Sequence, residues 1–465
     1  MSTASLASVS SSLHRFLVST KSRLLAGPAG SAHPIALASI GNVAGDLDSI
    51  VAAISFAYLS AASHPSLLVV PVLPFPRDEF RLRQDALLLF RHHGFAFDDA
   101  GSLADAICLD ELRAPAAAWR EGGAALEVAL LDHNRIAPGA SALLGGHVVA
   151  IVDHHADEAA HVETTAAAEA PHGGAPRLRL IDTAAGSACS LVTNMFGERL
   201  RDAPSELLAL LLATIAVDTR GLAAKELKYS IADVHAAERL LFHLEGRPIS
   251  GLPADAEPRL VREQAEAVRA STLSGVASVG GASTVAELAD KLLQARYDVS
   301  SLSAFDLLRL DYKQASSGGW AVGVSAIFTP LDELIARAGG RDRLAEAMRS
   351  FASSKSVDLF VAVAATDDDK GLKGVSLLAV HPGAEDAAQA LQAKLEAVPQ
   401  GLSTQLLSET LFVKQGIPTH GFGVTFSDPT SGLRTSTLRT EITRKTLLPS
   451  LLELCKTDLG APSKM

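Results

Sequence analysis

The sequence predicts an α/β protein with a doubly wound, mainly parallel sheet and a second, smaller α/β domain. Two observations predict this class. Apolar runs of strand character alternate with helical stretches from Pro34 to about Ala254, and such alternation is typical of βαβ units. A second alternation of strands and helices begins near Thr284. At 465 residues, the chain is also too long for one ordinary core.

The first predicted element is a helix near the N-terminus. Its apolar residues recur at near-helical spacing: Leu13, Phe16, Leu17 and Leu24. The first 45 residues contain no Asp or Glu but carry Arg15, Lys21 and Arg23, a composition that mitochondrial transit peptides share. The segment is therefore either a helix packed on the first domain or a targeting segment. We expect a cytoplasmic protein, with a mitochondrial location as the alternative.

Four short apolar runs have strand character, and each precedes an acidic cluster. The runs are Ile35–Ile40, Val128–Leu131, Val148–Val152 and Thr214–Val217. The clusters that follow are Asp46-Leu47-Asp48-Ser49, Asp132-His133-Asn134, Asp153-His154-His155 and Asp218-Thr219-Arg220. Helices are predicted over Leu47–Ser60 and Ser205–Ala213. Because the carboxyl ends of parallel strands share one sheet edge, the clusters are expected to converge there.

Converging carboxylates indicate a metal site. Like charges a few ångströms apart repel unless a cation neutralises them. Aspartate oxygens suit Mg²⁺ or Mn²⁺, and an added imidazole admits softer ions. The four clusters hold enough ligands for two metals, an arrangement that serves phosphoryl transfer.

The four clusters resemble the signatures of the DHH phosphoesterase superfamily, in the same order along the chain. The first signature begins at Gly41 and runs to Ser49, and the others are Leu131–Asn134, Val152–His155 and Val217–Thr219. Leu307–Lys313 and Thr443–Lys445 resemble two substrate-binding motifs of a second domain. Fungal exopolyphosphatases, which the chain resembles most, share that domain with prune proteins and family-II inorganic pyrophosphatases. The resemblance implies an active site in the cleft between the two domains.

The resemblance also implies a metal-ligand set. Asp46 would bind one metal and Asp48 the other, whereas Asp132 is the candidate to bridge both, because a carboxylate has two oxygens. The remaining predicted ligands are Asn42, His154 and Asp218. Asn42 stands where family-II pyrophosphatases have a metal-binding histidine, so Mg²⁺ is expected to be favoured over softer ions, with Mn²⁺ as the alternative.

Predicted substrate contacts lie in both domains. His155 is expected to contact phosphate. His133 either contacts the substrate or fixes the orientation of the Asp132 carboxylate without contacting substrate. In the second domain, Lys313, Arg444 and Lys445 resemble the phosphate-binding cations of the family. Asp132, His155, Lys313 and Arg444 are the residues expected to take part in catalysis.

A further segment, Gly186–Ser190, precedes a helical run. Free N–H groups at such a position either bind an anion or form an ordinary helix cap.

The predicted domains are residues 1–254 and 284–465, joined by a connection over 255–283. The connection is polar and then rich in Gly and Ser. Strands of the second domain are predicted over Trp320–Phe328, Leu359–Ala364 and Val375–Val380, with long helices between them.

Composition limits the environment and the partners. The three cysteines favour a reducing compartment over a disulfide framework. No apolar run approaches the length that spans a bilayer, and no basic stretch with interleaved aromatics suggests nucleic acid. The net charge of −11 includes the predicted metal ligands, whose charge bound ions would offset. We expect a monomer or a weak oligomer.

The expected function is release of orthophosphate from the ends of linear polyphosphate by two metals. Two alternatives remain open. One is a pyrophosphatase, or a phosphatase of short polyphosphates and nucleotides. The other is a prune-like interaction protein, although prune proteins have arginine at the position of His155.

Overall fold

The computed structural model describes residues 12–28, 35–122, 125–145, 147–162, 178–226, 228–367, 372–379, 424–427 and 433–439, with residues 448, 451, 452 and 455. The chain divides into two compact units, Met1–Tyr297 and Asp298–Met465. Within the ranges just given, no helix is both long enough and apolar enough to cross a membrane.

The first unit alternates strands with helices, as the sequence predicts. Its strands are β1 (Ile35–Ile40), β2 (Leu68–Leu73), β3 (Ile107–Cys108), β4 (Ala125–Leu131), β5 (Val148–Asp153) and β6 (Leu178–Ile181). Its helices are α1 (Ser12–Ala26), α2 (Leu47–Ser63), α3 (Gln84–His92), α4 (Arg113–Glu121), α5 (Pro138–Leu144), α6 (Ala188–Met195), α7 (Ser205–Asp218), α8 (Ile231–Glu245), α9 (Pro258–Arg269) and α10 (Val285–Tyr297).

The six strands form one parallel sheet in the order β3-β2-β1-β4-β5-β6. Its central strands are mostly apolar because both faces are covered. In β4, Ala129 and Leu131 pack into one buried cluster and Val128 and Leu130 into another. The predicted doubly wound parallel sheet is confirmed.

The predicted N-terminal helix is also present, as α1. It buries Leu13, Leu17 and Leu24, the first two in the core that α2 and α7 share and the third in the core on the other face of the sheet. These contacts account for the helical spacing of its apolar residues.

The strand predicted over Thr214–Val217 is wrong, because α7 continues through it to Asp218. The residues from Leu207 to Val217 are all buried, so this helix is apolar on every side and has no periodicity to reveal it. A short apolar run with β-branched residues cannot then be distinguished from a buried strand by pattern. Asp218 therefore ends a helix, whereas the other clusters follow strands.

Residues 255–283, predicted to connect the domains, lie within the first unit, which extends to Tyr297. Helix α9 occupies much of this segment. Its Ala265 and Val268, and the following Leu273 and Val279, are buried in the main core. The segment is polar and rich in Gly overall, but a few of its residues are buried in the core and make it part of the first unit.

The second unit has a mixed six-stranded sheet in the order β11-β12-β10-β9-β8-β7. Its strands are β7 (Tyr312–Ser317), β8 (Trp320–Ala326), β9 (Leu359–Asp367), β10 (Leu372–Ala379), β11 (Val424–Ser427) and β12 (Leu433–Arg439). Its helices are α11 (Ala304–Leu310), α12 (Leu331–Ala338) and α13 (Arg341–Ser354). The three predicted strands correspond to β8, β9 and β10. Two helices separate β8 from β9, which pair in parallel, whereas β9 and β10 pair antiparallel.

Candidate metal centre

The candidate site lies where the strand order of the first sheet reverses. β1 and β4 are neighbours, but the sheet continues from β1 to β2 and β3 on one side and from β4 to β5 and β6 on the other. Open α/β sheets bind ligands at the carboxyl end of such a switch point. Asp46 and Asp48 follow β1 in the chain, and Asp132 follows β4. His154 and His155 follow β5.

Asp132 has a buried and only partly compensated carboxylate. Its φ is 63° and it is only 2% exposed. Oδ2 accepts a hydrogen bond from Ser49 Oγ at 2.6 Å, whereas buried Oδ1 accepts none of good geometry within the described part of the chain. Burial and the charge of Asp46, helped by Asp48, raise the pKa of Asp132 to about 7, although the neighbouring His154 opposes this.

His154 directs Nε2 at two carboxylates. Its Nδ1 lies 3.0 Å from the carbonyl oxygen of Ala185, and because a carbonyl only accepts, Nδ1 carries the proton. Nε2 lies 3.2 Å from Oδ1 of Asp132 and 3.8 Å from Oδ2 of Asp48. Burial lowers the pKa of His154, but these two carboxylates outweigh it and raise the value to about 10. The arrangement attracts positive charge to Nε2, the atom that would bind a metal in the neutral ring.

His155 is oriented by Asp153. Its Nδ1 lies 2.9 Å from Oδ1 of Asp153 and 3.5 Å from Oδ1 of Asp132. The hydrogen bond to Asp153 raises the pKa of His155, with burial opposing it. Burial acts to raise the pKa of Asp153, but His155 and Asn134 reverse this and hold it at about 2. Asp153 is therefore an ionised group that fixes the imidazole.

Asp48 is buried, and both of its oxygens receive hydrogen bonds from the start of α6. Oδ1 accepts from Ser187 Oγ at 2.8 Å and from the Cys189 N–H at 2.9 Å, and Oδ2 accepts from the Ala188 N–H at 2.6 Å. Ser187 is also the N-cap of this helix. The N–H groups predicted either to bind an anion or to cap a helix therefore bind the carboxylate of Asp48.

The charge of Arg296, in α10, acts on both Asp46 and Asp218. Asp46 caps α2 by accepting from the Ser49 N–H, and although desolvation opposes it, Arg296 lowers the pKa of Asp46. Oδ1 of Asp218 lies 3.5 Å from Nη1 of Arg296. Burial and Asp48 raise the pKa of Asp218 well above its usual value, against the effect of Arg296. Oδ2 of Asp218 is buried and accepts no hydrogen bond from the described residues.

These residues fit a divalent cation. Two buried carboxylate oxygens, one on Asp132 and one on Asp218, lack a donor among the described residues. Ligand atoms of Asp132, His154 and His155 lie within 4.8 Å of one another. Carboxylate oxygens with one or two imidazole nitrogens suit Mg²⁺ or Mn²⁺.

Asn42 uses its amide to hold backbone. Its Oδ1 accepts from the Ala44 N–H at 3.1 Å, and its Nδ2 donates to the carbonyl oxygen of Asp132 at 3.3 Å. The structure thus places Asn42 beside the site as a support for the left-handed Asp132. Its predicted role as a ligand stays a prediction.

Comparison with known proteins finds one matching domain family and several similar proteins. The DHHA2 domain family matches residues 290–454. Exopolyphosphatase PRUNE1 of Bos taurus is 26% identical over 331 residues, which cover 70% of this chain and 58% of that protein. A putative exopolyphosphatase of Schizosaccharomyces pombe is 26% identical over 333 residues, covering 69% of this chain and 70% of the relative. These matches agree with the resemblance of this chain to DHH phosphoesterases.

A solved structure also aligns with this chain. A putative family II inorganic pyrophosphatase of Methanococcus jannaschii aligns with a TM-score of 0.44 and 16% identity, covering 90% of this chain and 98% of the other. The chain spans 58% of the length of the PRUNE1 protein of Bos taurus that it matches.

The predicted substrate residues fall in three places. His133 follows β4 with Nδ1 2.9 Å from the Leu131 carbonyl oxygen. Lys313 is on β7 of the second unit, opposite Val324 of β8. Arg444 and Lys445 lie outside the described residues. Their roles stay predictions.

Sequence reasoning missed two arginines of the candidate metal centre. Arg83 donates from Nε to the Gly45 carbonyl oxygen at 2.5 Å and from Nη2 to that of Ala44 at 2.8 Å, so it holds the loop before Asp46. Arg296 contacts Asp218 across 78 positions of sequence. Neither belongs to a local motif, and only the fold brings them to the site.

Proposed function

We propose that this chain is a metal-dependent hydrolase of phosphoric anhydrides, acting as an exopolyphosphatase that releases orthophosphate from the ends of linear polyphosphate. One observation carries the proposal: buried carboxylates without compensating donors converge with two histidines at the switch point of a parallel sheet. The exopolyphosphatase names of the PRUNE1 and fission-yeast relatives support the choice of substrate.

The residues proposed to hold metal are Asp46, Asp48, Asp132, His154 and Asp218. A bound divalent cation supplies Lewis acidity at the phosphoryl group. We propose two ions, Mg²⁺ or Mn²⁺, since the donors are mostly carboxylate oxygens. A cytoplasmic location is part of the proposal.

His155 is proposed to contact the terminal phosphate. Asp153 keeps Nδ1 of the ring engaged at 2.9 Å, so the ring orientation is fixed before substrate arrives. His155 is partly exposed, with 39% of its side chain accessible. The raised pKa of His155 favours a protonated ring, which donates a charge-assisted hydrogen bond to a phosphate oxygen. Lys313, Arg444 and Lys445 are proposed to neutralise further phosphate charge.

The test is orthophosphate release with Mg²⁺ from long-chain polyphosphate, tripolyphosphate and pyrophosphate at equal concentrations of terminal phosphate. We expect fast release from polyphosphate and little from pyrophosphate. Preference for pyrophosphate would replace the proposal with a pyrophosphatase. Release from none of them, with either metal, would favour an interaction protein.

Asp132→Asn is the matched inactive variant. Asparagine tolerates the left-handed backbone of this position and keeps the volume of the side chain, but it loses the negative charge. Release should fall at least a hundredfold while the chain remains folded by circular dichroism. Turnover near that of the wild type would contradict the assignment of Asp132 to the metal centre.

A further inference from the structure

Arg296 is a fixed cation beside the carboxylate cluster. It lies in the last turn of α10. Its Nε lies 2.6 Å from Oδ2 of Asp85, and its Nη1 lies 3.5 Å from Oδ1 of Asp218. Arginine stays charged at any pH at which the chain is folded. A full positive charge is therefore present at the site before any metal arrives.

The position of Arg296 is set by helix packing. α10 packs on both α7, which ends at Asp218, and α3, which begins beside Asp85. Leu288, Ala289 and Leu292 of α10 are buried in the shared core. Since Asp85 is itself 3% exposed, the guanidinium is held from one side by Asp85 and directed at Asp218 on the other.

Hydrogen bonding alone does not explain the position of Arg296 beside the carboxylates. Its Nη2 is buried and donates to no partner among the described residues, and the 3.5 Å contact with Asp218 is long for a charge-assisted hydrogen bond. Against the effect of burial, the charge of Arg296 also lowers the pKa of Asp46. What it contributes to Asp46 and Asp218 is electrostatic.

We propose that Arg296 is a built-in counter-cation of the metal centre, a positioning residue that steadies Asp46 and Asp218 without metal and weakens the binding of the divalent ion. Attraction to a permanent positive charge offsets the mutual repulsion of the carboxylates. The same charge repels an incoming cation that uses those carboxylates. Bound metal is consequently held loosely enough to exchange. This inference rests on the metal centre of the proposed function and is independent of the substrate.

The test is a Mn²⁺ binding titration of the EDTA-treated full-length chain by calorimetry. Arg296→Met should bind Mn²⁺ at least tenfold more tightly than the wild type, and Arg296→Lys, which keeps the charge, should remain within about threefold. In EDTA, the Met variant should melt below the wild type, and saturating Mn²⁺ should recover most of the difference. If the Met variant does not fold, Arg296→Gln, which can still donate a hydrogen bond to Asp85, replaces it as the neutral variant in the titration.

The matched control is Arg77→Met. Arg77 pairs with Asp98 and Glu111 at 2.7 and 2.6 Å and is 17% exposed, much like Arg296 at 21%. Loss of Arg77 should lower stability without changing Mn²⁺ affinity. Equal or weaker Mn²⁺ binding by the neutral Arg296 variants, with normal binding by the wild type, would overturn this inference alone. A wild-type chain that takes up no Mn²⁺ would overturn the metal centre and the proposed function together.

Discussion

Asp132 combines two unfavourable conditions that its neighbours hold in place. A left-handed backbone is uncommon for a residue other than glycine, and a buried carboxylate oxygen without a donor is costly. Ser49 bonds the side chain and Asn42 bonds the backbone carbonyl. Strain that surrounding groups maintain is typical of functional sites. The side chain is thus held ready, with one oxygen still able to accept a ligand.

Arg83 is the residue whose loss should most disturb the loop before Asp46. It is 5% exposed, donates to three carbonyl oxygens and stacks with Cζ 3.8 Å from the ring centroid of Phe75. We expect Arg83→Met to lower the free energy of unfolding by about 2–4 kcal/mol, because buried carbonyls lose their donors. Mn²⁺ affinity should fall as well. Urea unfolding and calorimetry measure the two effects.

Arg91→Met is the control for Arg83→Met. Arg91 is exposed, and its Cζ lies 5.2 Å from the ring centroid of Phe97. An exposed contact of this kind contributes only about 0.5–1 kcal/mol. If both variants lost equal stability and kept the same Mn²⁺ affinity, Arg83 would have no special role in the loop.

At the scale of the residue, sequence predicts the site residues that lie together in short clusters along the chain. Asp132, His154 and Asp48 each belong to a short cluster that follows an apolar run, and the structure brings them together. Arg83 contacts Ala44 and Gly45 from almost forty positions away, and Arg296 contacts Asp85 across 211. Such contacts depend on which helices pack together, which no local pattern records.

At the scale of the element, α7 shows where pattern fails. A helix buried on all sides has no polar face, so the pattern of residues at its end could not be distinguished from that of a buried strand. The ends of the strands at Asp132 and Asp153 were predicted to within one residue, because parallel strands in the middle of a sheet are short apolar runs between turns. The start of β4 was missed by three residues, since Glu127 interrupts its apolar run. Asp218 was identified as a site residue from the sequence, but the element that carries it was predicted as a strand and is a helix.

The start of α6 should be sensitive to a single methyl group at Gly186. A Cβ there would lie 2.2 Å from the carbonyl oxygen of Lys228, so backbone must move. Since Ala188 and Cys189 donate to Asp48, the shift would misplace that carboxylate. We expect Gly186→Ala to lose at least about 2 kcal/mol of stability, as overpacking does, and to lower phosphate release strongly.

Gly139→Ala is the matched control for Gly186→Ala. Gly139 lies within α5, and a Cβ there meets nothing within 4 Å. Alanine is a better helix former than glycine by about 1 kcal/mol, so this variant should be as stable as the wild type or more so. Comparable losses in both variants would argue against tight packing at Gly186.

At the scale of the whole molecule, the candidate metal ligands all belong to the first unit. They come from the segments after β1, β4 and β5 and from the end of α7. The length of the chain and its two alternations of strands and helices predicted two units, but the boundary at Tyr297 was missed, because Ala265 and Val268 are too few to mark a polar segment as part of a core. Helix α10, and Arg296 with it, therefore belongs to the unit that holds the site.

Metal should stabilise the chain against heat. A ligand that binds only the folded state at a hundredfold excess over Kd adds about 2.7 kcal/mol, which raises Tm by roughly 5 °C for a unit of this size. Scanning fluorimetry with Mg²⁺ or Mn²⁺, reversed by EDTA, measures it. The shift should vanish in Asp132→Asn, and a shift of the same size in that variant would contradict the site.

The first sheet ends in its two shortest strands. Among the described residues, which leave out 163–177 before β6, β3 has two residues and β6 has four, whereas each of the inner strands has six or seven. Unpaired N–H and C=O groups on a sheet edge are the template on which another chain extends the sheet, and short edge strands offer few of them. Fibrillar aggregation through this sheet is therefore disfavoured, even though 48% of the residues are apolar.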